Sequence, residues 1–205
     1  MKKIILKDLD TYVYLDSSNI RNALRVVGVK LDFIKLYKYL NTTYKHLKTV
    51  KYFEGADVKN KKAAKQFKLL EKTGYKMHTL VRKSYQNKAK YRSFKCGDCD
   101  KKNTVEILKK SKTLKSNVDV YLCSELMGDL LNVNRPFHII IFSCDGDFSE
   151  MIENMLKKNK HAHITVIATP FTKHNNYLSI RLKQLERVDR YYLANIINIK
   201  DKIKK

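Results

Sequence analysis

Residues 11–16, Thr-Tyr-Val-Tyr-Leu-Asp, form a β-branched and aromatic run that ends in a carboxylate, the pattern of a buried strand. Ser17, Ser18 and Asn19 follow, all residues that cap helices, and Ile20, Ala23, Leu24 and Val27 then recur at helical spacing up to Gly28. A second helical stripe runs from Leu31 to Tyr44 through Ile34, Leu36, Tyr37 and Leu40, and Val50–Phe53 reads as a strand. Between Lys59 and Lys72, Ala63, Phe67 and Leu70 mark the inner side of a helix with a lysine-rich outer side, which Gly74 stops before a strand over Tyr75–Val81. Helical order returns at Val118–Leu131. The apolar run Phe137–Phe142 is β-branched enough to be a buried strand, and Phe148, Ile152, Met155 and Leu156 place a helix after it. A strand over His163–Ala168, a helix over Leu178–Leu185 and a short edge strand near Val188–Tyr192 complete the pattern. Strands alternating with helices predict an α/β fold, a three-layer sandwich with a mostly parallel central sheet. In such sheets functional groups collect beyond the carboxyl ends of the strands.

One stretch breaks the alternation. From Arg82 to Lys115 there are 12 basic and 3 acidic residues, with Tyr85, Tyr91 and Phe94 interleaved and little apolar periodicity before Val105–Leu108. It reads as an excursion from a single core of 205 residues, carrying a small hairpin, with a C-terminal extension after about residue 185. Its aromatic rings and cations suit unpaired bases and phosphates; the competing reading is a solvated lysine loop. With 43 Lys and Arg against 20 Asp and Glu, the net charge is +23. That imbalance repels itself unless a polyanion neutralises it, so RNA, single-stranded or structured, is the expected partner. Arg21, Arg82, Lys83, Lys88, Lys90 and Arg92 are the cations expected to meet it. A membrane partner is not expected, because no apolar run approaches the ~18 residues of a span and Asp8 and Asp10 interrupt the start. Four cysteines without a disulfide framework fit a cytoplasmic protein, and a homo-oligomer is compatible with the sequence.

Inside this positive chain a few acids stand where apolar strands end. Asp145 and Asp147 flank Gly146 after Phe137–Phe142, and Asp16 closes the first strand. Gly146 permits a tight turn that aims both flanking carboxylates into one crevice. Converging carboxylates repel one another unless a cation lies between them, and hard divalent ions such as Mg²⁺ or Mn²⁺ take oxygen ligands. Taken singly, Asp119 and Asp147 also fit helix N-caps and Asp16 a turn residue.

Three segments in order carry a resemblance. Tyr14-Leu15-Asp16-Ser17-Ser18-Asn19-Ile20 resembles the "IDGxN" opening of NYN domains, a PIN-like nuclease branch that includes the LabA-like proteins. Ser116-Asn117-Val118-Asp119-Val120-Tyr121-Leu122-Cys123-Ser124-Glu125-Leu126 resembles their "KGVDVxLAxDxL" helix, and Ser143-Cys144-Asp145-Gly146-Asp147-Phe148 their "SGDxDF". The resemblance covers about residues 11–168. It implies a PIN-like, Rossmannoid α/β/α sandwich that cleaves RNA with Mg²⁺ or Mn²⁺. Asp16, Asp119 and Asp145 would be the principal metal carboxylates, and Asp147 a further ligand or water-positioning group. Asn19 would be a hydrogen-bonding residue of the pocket, and Glu125 stands where the family usually has Asp. Ser18, Asn117 and Cys144 depart from the pattern without removing a principal acid.

Other readings are open at this level. The same fold can bind nucleic acid without catalysis, the acids serving as caps. A phosphatase with Asp16 as nucleophile fits less well, since Ser18 stands where a second acid is needed. Cys96 and Cys99 have zinc-knuckle spacing but no evident second pair. His161 and His163 read as an ordinary sheet-edge pair.

Overall fold

A computed structural model describes residues 4–57, 60–170 and 177–205. Along the chain the elements are β1 (Asp10–Asp16), α1 (Ser17–Val26), α2 (Phe33–Thr43), β2 (His46–Ala56), α3 (Lys61–Thr73), β3 (Lys76–Val81) and β4 (Lys83–Asn87). Then come β5 (Lys90–Lys95), β6 (Lys102–Leu108), β7 (Ser111–Lys115), α4 (Val118–Leu130), β8 (Phe137–Phe142) and α5 (Phe148–Lys158). The chain closes with β9 (Ala162–Ala168), α6 (Ile180–Gln184), β10 (Tyr191–Asn195) and the single turn α7 (Lys200–Ile203).

Six strands form one sheet in the order β10-β9-β8-β1-β2-β3, every pair parallel. Strands β8 and β9 are buried along their whole length, which explains why they read as unbroken apolar runs. Helices α1, α2 and α3 cover one face, and α4 and α5 the other. Alternation along β2 shows the division: Tyr52 and Glu54 meet Arg21 of α1, whereas Lys51 meets Glu125 and Asp129 of α4. Because β1 leads outward to β2 on one side while β8 lies on its other side, the crossovers change face between β1 and β8. That is the topological switch point, where a crevice opens beyond the strand ends.

Most predicted elements are present with shifted ends. Strand β2 runs from His46 to Ala56, well beyond the Val50–Phe53 read from its apolar centre, because its first residues pair with β1 while only half-buried. Helix α3 begins at Lys61 rather than Lys59, which lies outside the described residues, and Asn60 caps it. The expected helix 178–185 contracts to α6 plus a short 3-10 turn, and the edge strand forms at Tyr191–Asn195, three residues later than expected. After it the chain turns back, so that α7 packs on α2.

The excursion differs most. It is a β arm built of two consecutive antiparallel ladders, β4 with β7 and β5 with β6, turning at Cys96–Lys101. Almost all its side chains are exposed, including Tyr91 at 62% and Phe94 at 51%. Neither face is buried, so no period-2 signal marks these strands in the sequence.

Candidate active site

Asp16 ends β1 and is itself the N-cap of α1, where Oδ1 accepts from the Asn19 amide at 3.2 Å. The cap is therefore one position earlier than the Ser17-Ser18-Asn19 run suggested. Beside it, just past the end of β8, the Ser143 hydroxyl donates to Asp16 Oδ2 at 3.1 Å and accepts from the Asp145 amide at 3.1 Å. Asn19 Oδ1 accepts from the Cys144 amide at 2.9 Å, tying the first turn of α1 to the loop after β8. Within that loop the Asp147 amide donates to Asp145 Oδ1 at 3.0 Å. Two strand ends 127 residues apart in sequence are thus held together by Ser143 and Asn19.

Asp119, in the first turn of α4, faces the same crevice from the opposite layer. Burial raises its carboxyl pKa, with the charges of Asp145 and Asp147 adding to the effect. Asp16, only 3% exposed, is pushed up to about 7, first by burial and then by Asp119 and Asp145, against the opposing hydrogen bonds from Asn19 and Ser143. Asp145 is half-buried and Asp147 exposed, so the group runs from a buried acid at the sheet outward to solvent. The acids feel one another's charge. Even so, among the described residues no three His, Cys, Asp or Glu side chains are grouped tightly enough to enclose one ion.

The donor chemistry fits a hard divalent cation. All the groups are carboxylate oxygens, and two of them are held in environments that disfavour the bare charge. Cys123, a sulfur on α4, is pushed up to about 11 by burial and by Asp119 and Asp147. Asp16, Asp119, Asp145 and Asp147 are the residues that would hold such an ion.

Capping accounts for only part of this arrangement. Asp16 caps α1, but Asp147 makes no side-chain bond at the α5 cap position, and Asp119 lies inside α4 rather than at its cap. Gly146 is needed for a reason other than turn geometry: it has no positive φ. A Cβ there would fall on Ser179 Oγ and lie 2.8 Å from Ser179 Cβ, since Ser179 donates its amide to the Cys144 carbonyl at 3.0 Å. Gly146→Ala is expected to lower stability by about 1–3 kcal/mol, the cost of overpacking a tight contact. Thermal or urea melts would check this, and a change within about 0.5 kcal/mol would show that the segment around Ser179 yields freely.

The structure does not bring Glu125 into the group. Its carboxylate accepts from Lys51 at 2.7 Å, and Lys51 also binds Asp129, which accepts from the Tyr14 hydroxyl at 3.1 Å. Glu125 thus ties α4 to β2, while Asp129 ties it to both β2 and β1. Arg21 likewise is engaged, donating to Glu54 at 2.7 Å and Tyr52 at 2.9 Å on the other face of the sheet. Arg82 folds beside Gly55 at the end of β2, Lys83 begins the arm, Lys88 lies between its ladders, and Lys90 and Arg92 are on β5. Cys96 and Cys99 sit at the arm's turn as free thiols. His163 is buried and stacks on Tyr192, while His161 precedes β9, so the pair is split between a turn and the sheet.

Sequence reasoning missed Arg181. With Tyr177 and Ser179 it lines a cavity of about 490 Å³ shared with Asn19, Asp145 and Asp147. It is the cation of that lining, on α6, far from the acids in sequence and in no recognisable motif.

A parallel α/β/α sandwich with carboxylates gathered at the β1/β8 switch point defines a PIN-like protein. The NYN domain matches residues 10–179, and the chain belongs to the NYN family, within the PIN-like nuclease superfamily. Nucleases of this superfamily typically use divalent metal ions, and NYN nucleases act on RNA. The fold is similar to that of a crystal structure of a protein of unknown function from Vibrio parahaemolyticus, with TM-score 0.63, 16% identity, and 99% of this chain and 100% of that chain covered. No curated protein matches the chain. Among the described residues no helix is long and apolar enough to cross a membrane.

Proposed function

We propose that the protein is a ribonuclease that hydrolyses RNA phosphodiester bonds with Mg²⁺ or Mn²⁺ held by Asp16, Asp119, Asp145 and Asp147. The observation that carries this reading is the buried Asp16, bridged by Ser143 to the Asp145 loop at the switch point of a strongly basic chain, where burial and the charges of Asp119 and Asp145 raise its carboxyl pKa. When bound, the ion supplies Lewis acidity at the phosphodiester and a more acidic water. The chain's own residues do the positioning. Asn19 and Ser143 fix the Asp145 loop against Asp16, and Arg181 offers a cation to a phosphate beside Asp145. Calorimetric titration of Mn²⁺ into wild type and Asp145→Asn tests the metal assignment, with saturable binding expected in wild type and weakened in the variant. Equal binding in both would remove Asp145 from the site. The alternative, a binding module without catalysis, is favoured by the capping bond of Asp16 and by the spacing of the acids, no three of which, among the described residues, are grouped tightly enough to enclose one ion.

The arm supports RNA as the partner, because its 12 basic and 3 acidic residues are held on an exposed ribbon with Tyr85, Tyr91 and Phe94. Neutralising Arg82, Lys83, Lys88, Lys90 and Arg92 together is expected to weaken binding of single-stranded RNA and to flatten its salt dependence. Each lost phosphate contact lowers the slope of log affinity against log salt by about 0.7. Fluorescence anisotropy across a salt series measures that slope, and an unchanged value would place binding elsewhere. The cytoplasm is the proposed location, where RNA substrates and reduced thiols coexist.

A further inference from the structure

On the face of the sheet opposite α4, a cavity of about 640 Å³ opens between α1, the start of α2 and α3. None of the four acids lines it, and its volume lies within the ~300–1,000 Å³ typical of small-molecule sites. One wall is apolar, with Phe33 at its base and Leu69 left 51% exposed. The rim is cationic. Arg25 and Lys30 reach it from the end of α1 and the following loop, and neither has an ion-pair partner among the described residues. Asp32, the acidic side chain of the lining, turns an oxygen back to cap α2, accepting from Ile34 at 2.9 Å and Lys35 at 3.1 Å. Arg21 stacks over the Phe33 ring at 5.6 Å, with its guanidinium turned to Glu54 and Tyr52, so Arg25 and Lys30 remain as cations for a ligand. Asn22 and Gln66 add two carboxamides, which can donate and accept at the edge of a flat heterocycle.

Apolar wall, paired carboxamides and unpartnered cations together describe an anion with an aromatic body. We propose that this cleft binds a nucleotide phosphate, the base against the exposed Leu69 side chain within reach of Asn22 and Gln66, and the phosphate against Arg25 and Lys30. The ligand is either a free mononucleotide or one nucleotide of a bound RNA chain, and both present the same chemistry. The site is separate from the acids, so it stands or falls independently of catalysis.

The test is calorimetric titration of the full chain with AMP, adenosine and inorganic phosphate, alongside anisotropy with a cleavage-resistant 2′-O-methyl oligoadenylate. AMP is expected to bind saturably and at least about tenfold more tightly than adenosine or phosphate, because only AMP engages both wall and rim. Arg25→Ala/Lys30→Ala and, separately, Leu69→Glu should each weaken AMP by about tenfold or more. These positions are exposed, so the fold should tolerate both changes, and unchanged melting would verify it. Loss of oligoadenylate affinity in both variants without AMP binding would identify the RNA chain as the source. The proposal is overturned if AMP fails to bind and oligoadenylate affinity is unchanged, or if phosphate alone binds as tightly as AMP.

Discussion

Asp16→Asn, Asp119→Asn and Asp145→Asn are each expected to reduce Mn²⁺- or Mg²⁺-dependent cleavage of single-stranded RNA by at least about 100-fold, a loss typical of removing one charge-stabilising group from a reacting centre. The fold should persist in all three. In Asp16→Asn the carboxamide oxygen can still accept from the Asn19 amide, and its nitrogen can donate to Ser143. Asp119 makes no hydrogen bond among the described residues, so neutralising it removes repulsion and little else. In Asp145→Asn the acceptor for the Asp147 amide is kept. A labelled RNA incubated with each purified variant, with metal and with chelator, reads the effect directly. Wild-type rates in all three variants would sink the carboxylate site. RNA binding without cleavage by the unsubstituted protein would favour the binding module.

The second large effect is on stability, and its sign follows from Asp16. Its folded pKa of about 7 lies above the ordinary value of 3.8 expected in the unfolded chain. Between those values the folded protein holds a proton that the unfolded chain has released, so metal-free stability falls as pH rises from 3.8 through 7 and is level above. At about 1.4 kcal/mol per unit, the difference 7 − 3.8 sets a ceiling on the order of 4 kcal/mol. Asp16→Asn removes this liability. In chelator at pH 8 the variant should melt several degrees above wild type, given about 2–4 °C per kcal/mol for a chain of this size. At pH 4 the two should converge. His138, buried and lowered to about 4 by burial and by His163, destabilises both proteins equally on acidification from 6.5 towards 4 and so cancels in the comparison. Mn²⁺ should raise the melting temperature of wild type by mass action, and that of the variant by less. A variant less stable than wild type at pH 8 in chelator, with equal Mn²⁺ shifts, would mean that Asp16 acts only as a helix cap.

Local pattern was enough for much of the fold. The runs at β1, β8 and β9 and the helical spacing of α1 and α4 were legible because a residue's facing repeats every two or 3.6 positions whatever the rest of the chain does. The strand-end position of Asp16 and Asp145 was legible for the same reason, and three ordered motifs joined them to Asp119. The arm was legible only as a basic excursion with a small hairpin; its two ladders were not, because their strands bury neither face and owe their existence to partners up to 32 residues away, Lys83 with Lys115.

Tertiary structure alone decided which charges meet. The parallel pairing of β1 with β8 sets Ser143 beside Asp16 and turns strand-end acids into one electrostatic group. Lys51, in the otherwise apolar centre of β2, captures Glu125, whose motif position points to the site. Gly146 looked like a turn residue, whereas the approach of Ser179 is what requires it, and Arg181 arrives from a helix that no motif marked. Periodicity fixes which way a side chain faces along its own element. Coulomb interaction and steric contact depend on distance in space, and that distance is set only when strand order and register bring remote segments together.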